Sequence, residues 1–227
     1  MAEDIGPALR VARKRAGLSL RELAARTGVS ASLLSQVENG HTRLSVNTLY
    51  AVVSELDLSI DELLGRPTAP APHLQAEDRT AVVHRKGERP VLEMENGVTW
   101  ERLAPLLGES VDSLLATYQP GGTSSANGRL MRHNGIEYAY LLSGELELQL
   151  EFDTHVLKAG DSLCFDSATP HLYANRGSVP ASGVWFIVGR QVIARDESDL
   201  AREIAEMLRT RNAPMPPGPP MGFPESR

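Results

Sequence analysis

Between Ile5 and Gly65 apolar residues recur every three or four positions, and short breaks interrupt the recurrence several times. Ile5, Leu9 and Ala12 share one helical face, and Gly17 supplies a stop. Ser19 caps a second helix, with Glu22 three residues on completing a capping box and Leu20, Leu23 and Ala24 as its inner stripe. Gly28 breaks the pattern. Ser30 caps a third helix with Leu33, Leu34 and Val37 inside, and Gly40 ends it. A fourth begins near Ser45 and buries Leu49, Val52, Val53 and Leu56. A fifth, capped by Ser59, carries Ile60, Leu63 and Leu64 and stops at Gly65. Residues 1–65 therefore predict a small all-α domain of five helices.

The stretch 66–79, RPTAPAPHLQAEDR, has three prolines and few large apolar side chains, which predicts a semi-rigid linker. From Thr80 the apolar period falls to two. AVVHR, PVLEME, VTWERL, SVDSLLATY, IEYAYLL, ELELQLEF, HVLKAGDSLCF, HLYAN and VWFIV alternate between apolar and polar positions. Turn pairs such as Asn96-Gly97 and Asn134-Gly135 separate them. Many short strands at regular spacing predict an all-β barrel or sandwich over residues 80–195. Leu200, Ile204, Met207 and Leu208 then mark an amphipathic helix within 196–211, and the proline-rich end up to 227 is expected to be disordered. The fold class is thus multidomain, α followed by β.

Charge alters this picture. The 227 residues carry a net charge of −6, which alone argues against a nucleic-acid partner. From Arg10 to Arg43, however, seven Lys or Arg stand against only Glu22 and Glu38, so this segment is +5 and the remainder −11. A basic end on an acidic chain is the footprint of a phosphate-binding module. The start, MAEDIGPALR, lacks the basic flank and apolar core of a secretion signal. With Cys164 as the single cysteine no internal disulfide forms, and a cytoplasmic location is expected. Cys164 itself reads as a small buried hydrophobe. No run approaches the ~18 apolar residues of a membrane span, so no membrane partner is expected.

Two segments carry chemistry. A three-residue turn around Gly28 lets the second and third helices cross steeply, with Ala24 and Val29 packing the crossing. The third helix starts at Ser30 and exposes Ala31, Ser32, Ser35, Gln36 and Asn39. Small and amide side chains suit base edges in a major groove, where Gln pairs bidentately with adenine. Arg13, Lys14, Arg15, Arg26 and Arg43 suit flanking phosphates. In the β region, His133 and Glu137 precede and enter one strand, and His171 follows Pro170 at another. Two imidazoles and one carboxylate from neighbouring strands would cap one face of a divalent metal, suiting Fe(II) and less selectively Mn, Ni or Zn. If Glu137 points inward, Ala139 and Leu141 follow it and Tyr138 and Tyr140 face the other way. Tyr118, Arg129, Arg132, Gln149 and Tyr173 are further candidates for orienting a ligand, the arginine pair suiting a carboxylate or phosphonate.

The run GLSLRELAARTGVSASLLSQVENG, followed by LSVNTLYAVVSELDLSIDELLG, resembles the XRE-type, lambda-repressor-like helix-turn-helix over residues 5–65. The resemblance implies that Ala31, Ser32 and Gln36 meet bases, that Asn39 holds a phosphate, and that Arg13 pairs with Glu38. Residues 80–189 resemble a cupin, a double-stranded β-helix barrel: Gly160, His171 and Asn175 stand at the offsets of its second motif, although Asp166 and Ala168 replace the usual Pro and Gly. In its first motif Met131 occupies the earlier histidine position, so the implied ligand set is His133, Glu137 and His171. Together the resemblances imply a transcriptional regulator that binds a palindromic operator as a homodimer and senses a small-molecule effector in the barrel. An alternative from another class is an iron-dependent enzyme similar to the fosfomycin-forming phosphonate epoxidases, which join the same two domains and also lack the first cupin histidine. The lysine with which such epoxidases meet substrate falls at Gly17 here.

Overall fold

The computed structural model describes residues 3–64, 83, 85–103 and 111–189. The expected linker 66–79 and the expected helix and tail 196–227 lie outside the described residues. Four helices form the first region: α1 (Gly6–Arg15), α2 (Leu20–Thr27), α3 (Ala31–Glu38) and α4 (Val46–Glu55). The fifth expected helix is reduced to a single turn, α5 (Ile60–Leu63), so the domain has four full helices rather than five. Its capping box of Ser59 and Glu62 is present, but the turn is only four residues long. The other caps stand where the serines predict them: Ser19 Oγ accepts from Glu22 N, Ser30 Oγ from Leu33 N and Ser45 Oγ from Thr48 N. Gly28, with φ +70°, closes α2 in the left-handed region that an L side chain enters only at a cost.

The second region is β throughout. Its strands are β1 (Val91–Glu93), β2 (Val98–Arg102), β3 (Val111–Tyr118), β4 (Ile136–Ser143), β5 (Glu145–Leu150), β6 (Asp153–Lys158), β7 (Ser162–Asp166), β8 (His171–Ala174) and β9 (Ala181–Val188). Six form one antiparallel sheet in the order β1-β2-β3-β9-β4-β7, and three form another in the order β6-β5-β8. Alternation decides which faces meet. Ala139 and Leu141 of β4, Leu146 and Leu148 of β5, and Trp185 and Ile187 of β9 turn inward and share one apolar core. A Cβ on Gly183 would lie 2.6 Å from the Tyr140 carbonyl oxygen, so only glycine lets β9 pass β4 this closely. Cys164 departs from expectation. On β7 the inward positions go to Leu163 and Phe165, and Cys164 stands exposed between them.

The helical region sits directly on the barrel. Asn47 N donates to Ser124 O at 2.9 Å and Glu95 N to Leu44 O at 2.9 Å. At the sheet's rim, Glu3 N donates to Val91 O of β1 at 2.8 Å. The buried residues of the helices and of the barrel belong to one continuous cluster.

Candidate functional site

The α2–turn–α3 unit presents a polar face. Ser30, Ser32, Gln36 and Asn39 are exposed, while Ala31 and Ser35 are half-buried. Leu34 and Val37 hold the opposite side of α3 in the core. The Asn39 side-chain amide donates to Ser35 O at 2.7 Å, finishing the helix. The flanking cations divide. Lys14 and Arg15 are exposed. Arg26 pairs with Glu55 of α4 at 2.9 Å and Arg43 pairs with Glu93 of β1, yet both side chains remain more than half exposed. Exposed pairs contribute only about 0–1 kcal/mol, so a phosphate competes for either arginine at little cost.

Arg13 corrects its expected place among the phosphate contacts. It is only 8% exposed, its Nε and Nη2 clasp both oxygens of the buried Glu38 carboxylate, and its Nη1 donates to Leu18 O at 2.7 Å. The helix-one arginine thus braces α1 against α3, as the expected pairing with Glu38 requires.

Inside the barrel, β4 carries Glu137, β8 opens with His171, and the loop before β4 supplies His133. All three are buried, and one ligand atom from each lies within 4.8 Å of the others. His133 Nε2 is 3.4 Å and His171 Nε2 3.5 Å from Glu137 Oε2. Each imidazole is oriented from behind: His133 Nδ1 donates to Asn134 O at 3.2 Å and His171 Nδ1 to Thr169 O at 2.8 Å. Because a carbonyl only accepts, each Nδ1 carries a proton, and each Nε2 is left facing the carboxylate. Neither Nε2 has a hydrogen-bond partner. Two buried, unpartnered imidazole nitrogens beside a carboxylate form a donor set that fits a divalent cation.

Burial pushes the Glu137 carboxyl upward, but the close approach and charge of His133, the charge of His171 and the Tyr173 hydroxyl outweigh it and hold the group below the usual carboxylate range. Burial lowers the His171 imidazole despite the opposing pull of Glu137, favouring its neutral, ligating form. Tyr173 donates its hydroxyl to Glu137 Oε1 at 2.9 Å, and burial raises its own pKa well above the ordinary tyrosine value. Burial raises Tyr118 as well. Both phenols therefore stay protonated and available as donors.

Tyr118 and Tyr173 line the cavity beside Glu137, together with Met131, Trp100 and Trp185. The other three ligand-orienting candidates do not join them. Arg132 turns outward between the buried Met131 and His133. Gln149 points away from the inward Leu146 and Leu148, its amide near Glu151 O. Arg129 is exposed and borders a cleft between α4 and the barrel loop. Two residues of the helical region also line the cavity: Val46 and Tyr50, both from α4. The Tyr50 ring stacks on that of His133 with centroids 4.2 Å apart. The free volume left is about 10 Å³, room for about one water or an ion.

A helical reading unit joined to a β-barrel with a buried His-Glu-His cluster defines a two-domain architecture, and both halves match known families. Residues 9–63 match the helix-turn-helix family model and residues 114–187 the cupin domain model. The chain is an XRE-type helix-turn-helix protein with a C-terminal cupin domain, homologous to HTH-type transcriptional regulators. It is 27% identical over 179 residues to the HTH-type transcriptional regulator PuuR of Escherichia coli, an alignment covering 76% of this chain and 89% of PuuR. It is 31% identical to SlrR of Bacillus subtilis, another HTH-type transcriptional regulator, over 64% of this chain and 90% of that protein. Among solved structures, an HTH_3 family transcriptional regulator from Vibrio cholerae shares the fold with a TM-score of 0.59 and 23% identity, covering 82% of this chain and 95% of that one.

Proposed function

We propose that the protein is a sequence-specific DNA-binding transcriptional regulator that reads a palindromic operator as a homodimer and senses a small effector in its cupin barrel. The observation that carries this is the surface of α3: Ser32 and Gln36 are exposed on a capped helix whose other face is fixed in the core, with exposed Lys14 and Arg15 nearby in sequence. Gln36 suits adenine and the cations suit phosphates. Ala31, Ser35 and Asn39 complete the reading face.

In the barrel, His133, Glu137 and His171 would hold a divalent ion, Fe(II) first and Mn, Ni or Zn less selectively. When bound, such an ion supplies open coordination positions for an anionic oxygen of the effector. Tyr173 would keep the carboxylate oriented, and the two Nδ1 hydrogen bonds would keep both imidazoles aimed.

A second copy of the chain fits the outer face of the larger sheet. Ile136, Tyr138, Tyr140 and Leu142 of β4 stand exposed there beside Phe186 and Val188 of β9, with Tyr138 and Phe186 in register. Asp166 of β7, paired with Ile136, sets a charge at the edge of this face. The six apolar side chains form one patch across β4 and β9. It would supply the apolar centre of an interface of about 800 Å² per partner.

Selection of full-length protein against a pool of random duplexes tests the proposal. A two-fold symmetric sequence should emerge, with half-sites about ten base pairs apart and affinity falling with a log–log salt slope of about −0.9 per phosphate contacted. Absence of any enriched sequence, or binding indifferent to salt, overturns it.

A further inference from the structure

Tyr50 belongs to the DNA-reading domain, yet its ring forms one wall of the barrel site. The Tyr50 and His133 planes lie 14° apart with centroids at 4.2 Å, and Trp100 of β2 backs Tyr50 edge-on at 5.5 Å. His133 stands on a loop, and the hydrogen bond orienting it goes to the carbonyl of the very next residue, Asn134. That contact aims Nδ1 from one side only. The stack on Tyr50, with the edge contact to His171 at 5.1 Å, holds the plane of the ring.

Helix α4 is anchored at both sides of this contact. Toward the barrel, Val46 lines the cavity, Asn47 N donates to Ser124 O at 2.9 Å, and Asn47 Nδ2 donates to Arg129 O at 3.2 Å. Toward the reading unit, Leu49, Val52 and Val53 are fully buried in the helical core, and Glu55 accepts from Arg26 of α2 at 2.9 Å. One helix therefore touches a triad imidazole with one face and the α2 scaffold of the recognition helix with another.

We infer that Tyr50 is a positioning residue of the barrel site, holding His133 in its ligating orientation so that occupation of the site tightens α4 onto the barrel. The inference rests on the reading of His133, Glu137 and His171 as a cation site. It also separates two ligand classes. An ion can be held between the three ligand atoms, whereas an organic anion in the cavity beside Glu137, with about 10 Å³ free, requires one of its lining residues to move, and Tyr50 of α4 is one of them. Only a ligand that distinguishes the two positions of α4 shifts the reading domain.

The test uses full-length protein and Co(II) chloride as the probe, read by ligand-field absorption and by hydrogen exchange of residues 46–55. Wild type should bind one equivalent and gain amide protection along α4. Tyr50→Phe keeps the ring and should behave like wild type. Tyr50→Leu fills much of the volume without a ring. It should shift the absorption band, weaken binding between about two- and tenfold, the worth of an aromatic pair, and lose the protection gain. A folded Tyr50→Leu variant with unchanged spectrum, affinity and protection overturns the inference while the cation site stands. If that variant does not fold, absence of a Co(II)-dependent gain in α4 protection in wild type and Tyr50→Phe overturns it equally. Failure of wild type to bind Co(II) removes the cation site and this inference together.

Discussion

The proposed recognition face of α3 and the triad in the barrel use polar side chains in opposite ways. Ser32 and Gln36 point into solvent and support nothing, so the fold does not depend on them. His133, Glu137 and His171 are buried, held by Asn134, Thr169 and Tyr173, and every change there disturbs packing as well as chemistry. Function and stability separate cleanly on the first surface and are fused in the second. Arg13 is the instructive intermediate: it lies in the basic segment, but burial beside Glu38 places it with the second group.

That contrast is sharpest in Arg13→Ala. Removing the guanidinium strands a buried carboxylate and should cost about 3–5 kcal/mol in urea unfolding, somewhat less if Arg10, already 3.4 Å from Glu38, takes over part of the pairing. A loss below about 1 kcal/mol would return Arg13 to the phosphate-contacting set. Gln36→Ala should do the reverse: stability within about 0.5 kcal/mol of wild type, but a loss of about 1–3 kcal/mol of discrimination at one base position in competition binding. Uniform weakening across all sequences would mean that Gln36 contacts backbone instead. The triad should also respond to acid, which the recognition face should not. His171 is held below its ordinary 6.5 in the folded protein, so the unfolded chain binds that proton more tightly. Its contribution is complete above that value and declines as pH falls below it, with Glu137 adding loss of the same sign further down. Ion-free protein should therefore lose stability as pH falls below about 6.5, with a slope of at most about 1.4 kcal/mol per pH unit from His171. The slope should flatten in His171→Gln, whereas the same slope in that variant would assign it to other groups.

Much of this was legible in the sequence because local rules suffice for it. Serine caps at 19, 30, 45 and 59 mark helix starts through a single side-chain hydrogen bond, and the strand period puts Glu137, Ala139 and Leu141 on the inner face. The convergence of His133, Glu137 and His171 followed from the cupin resemblance, and the coordinates bring the three together. What escaped depends on contacts between distant segments. Arg132 counted as a ligand candidate because an arginine pair suits a carboxylate or phosphonate, but alternation along residues 131–133 sends it outward. Cys164 read as buried because free cysteine behaves as a small hydrophobe, but Leu163 and Phe165 take the inward positions of β7. Tyr50 carried no motif. A signal was available, however: Val46, Leu49, Tyr50, Val52 and Val53 are all apolar, a stripe too wide for a helix covered on one side only. Such width announces a second partner, here the barrel.

The bond from Glu3 to Val91 has a wider consequence. A sheet that stops at a free rim leaves a row of backbone donors and acceptors open to pairing with other chains, a route to aggregation. Here the outermost short strand, β1, accepts at Val91 from a residue near the beginning of the chain, and Leu44 accepts from Glu95 just past its end. The helical domain thereby doubles as a bumper, shielding an edge that the barrel alone would leave sticky.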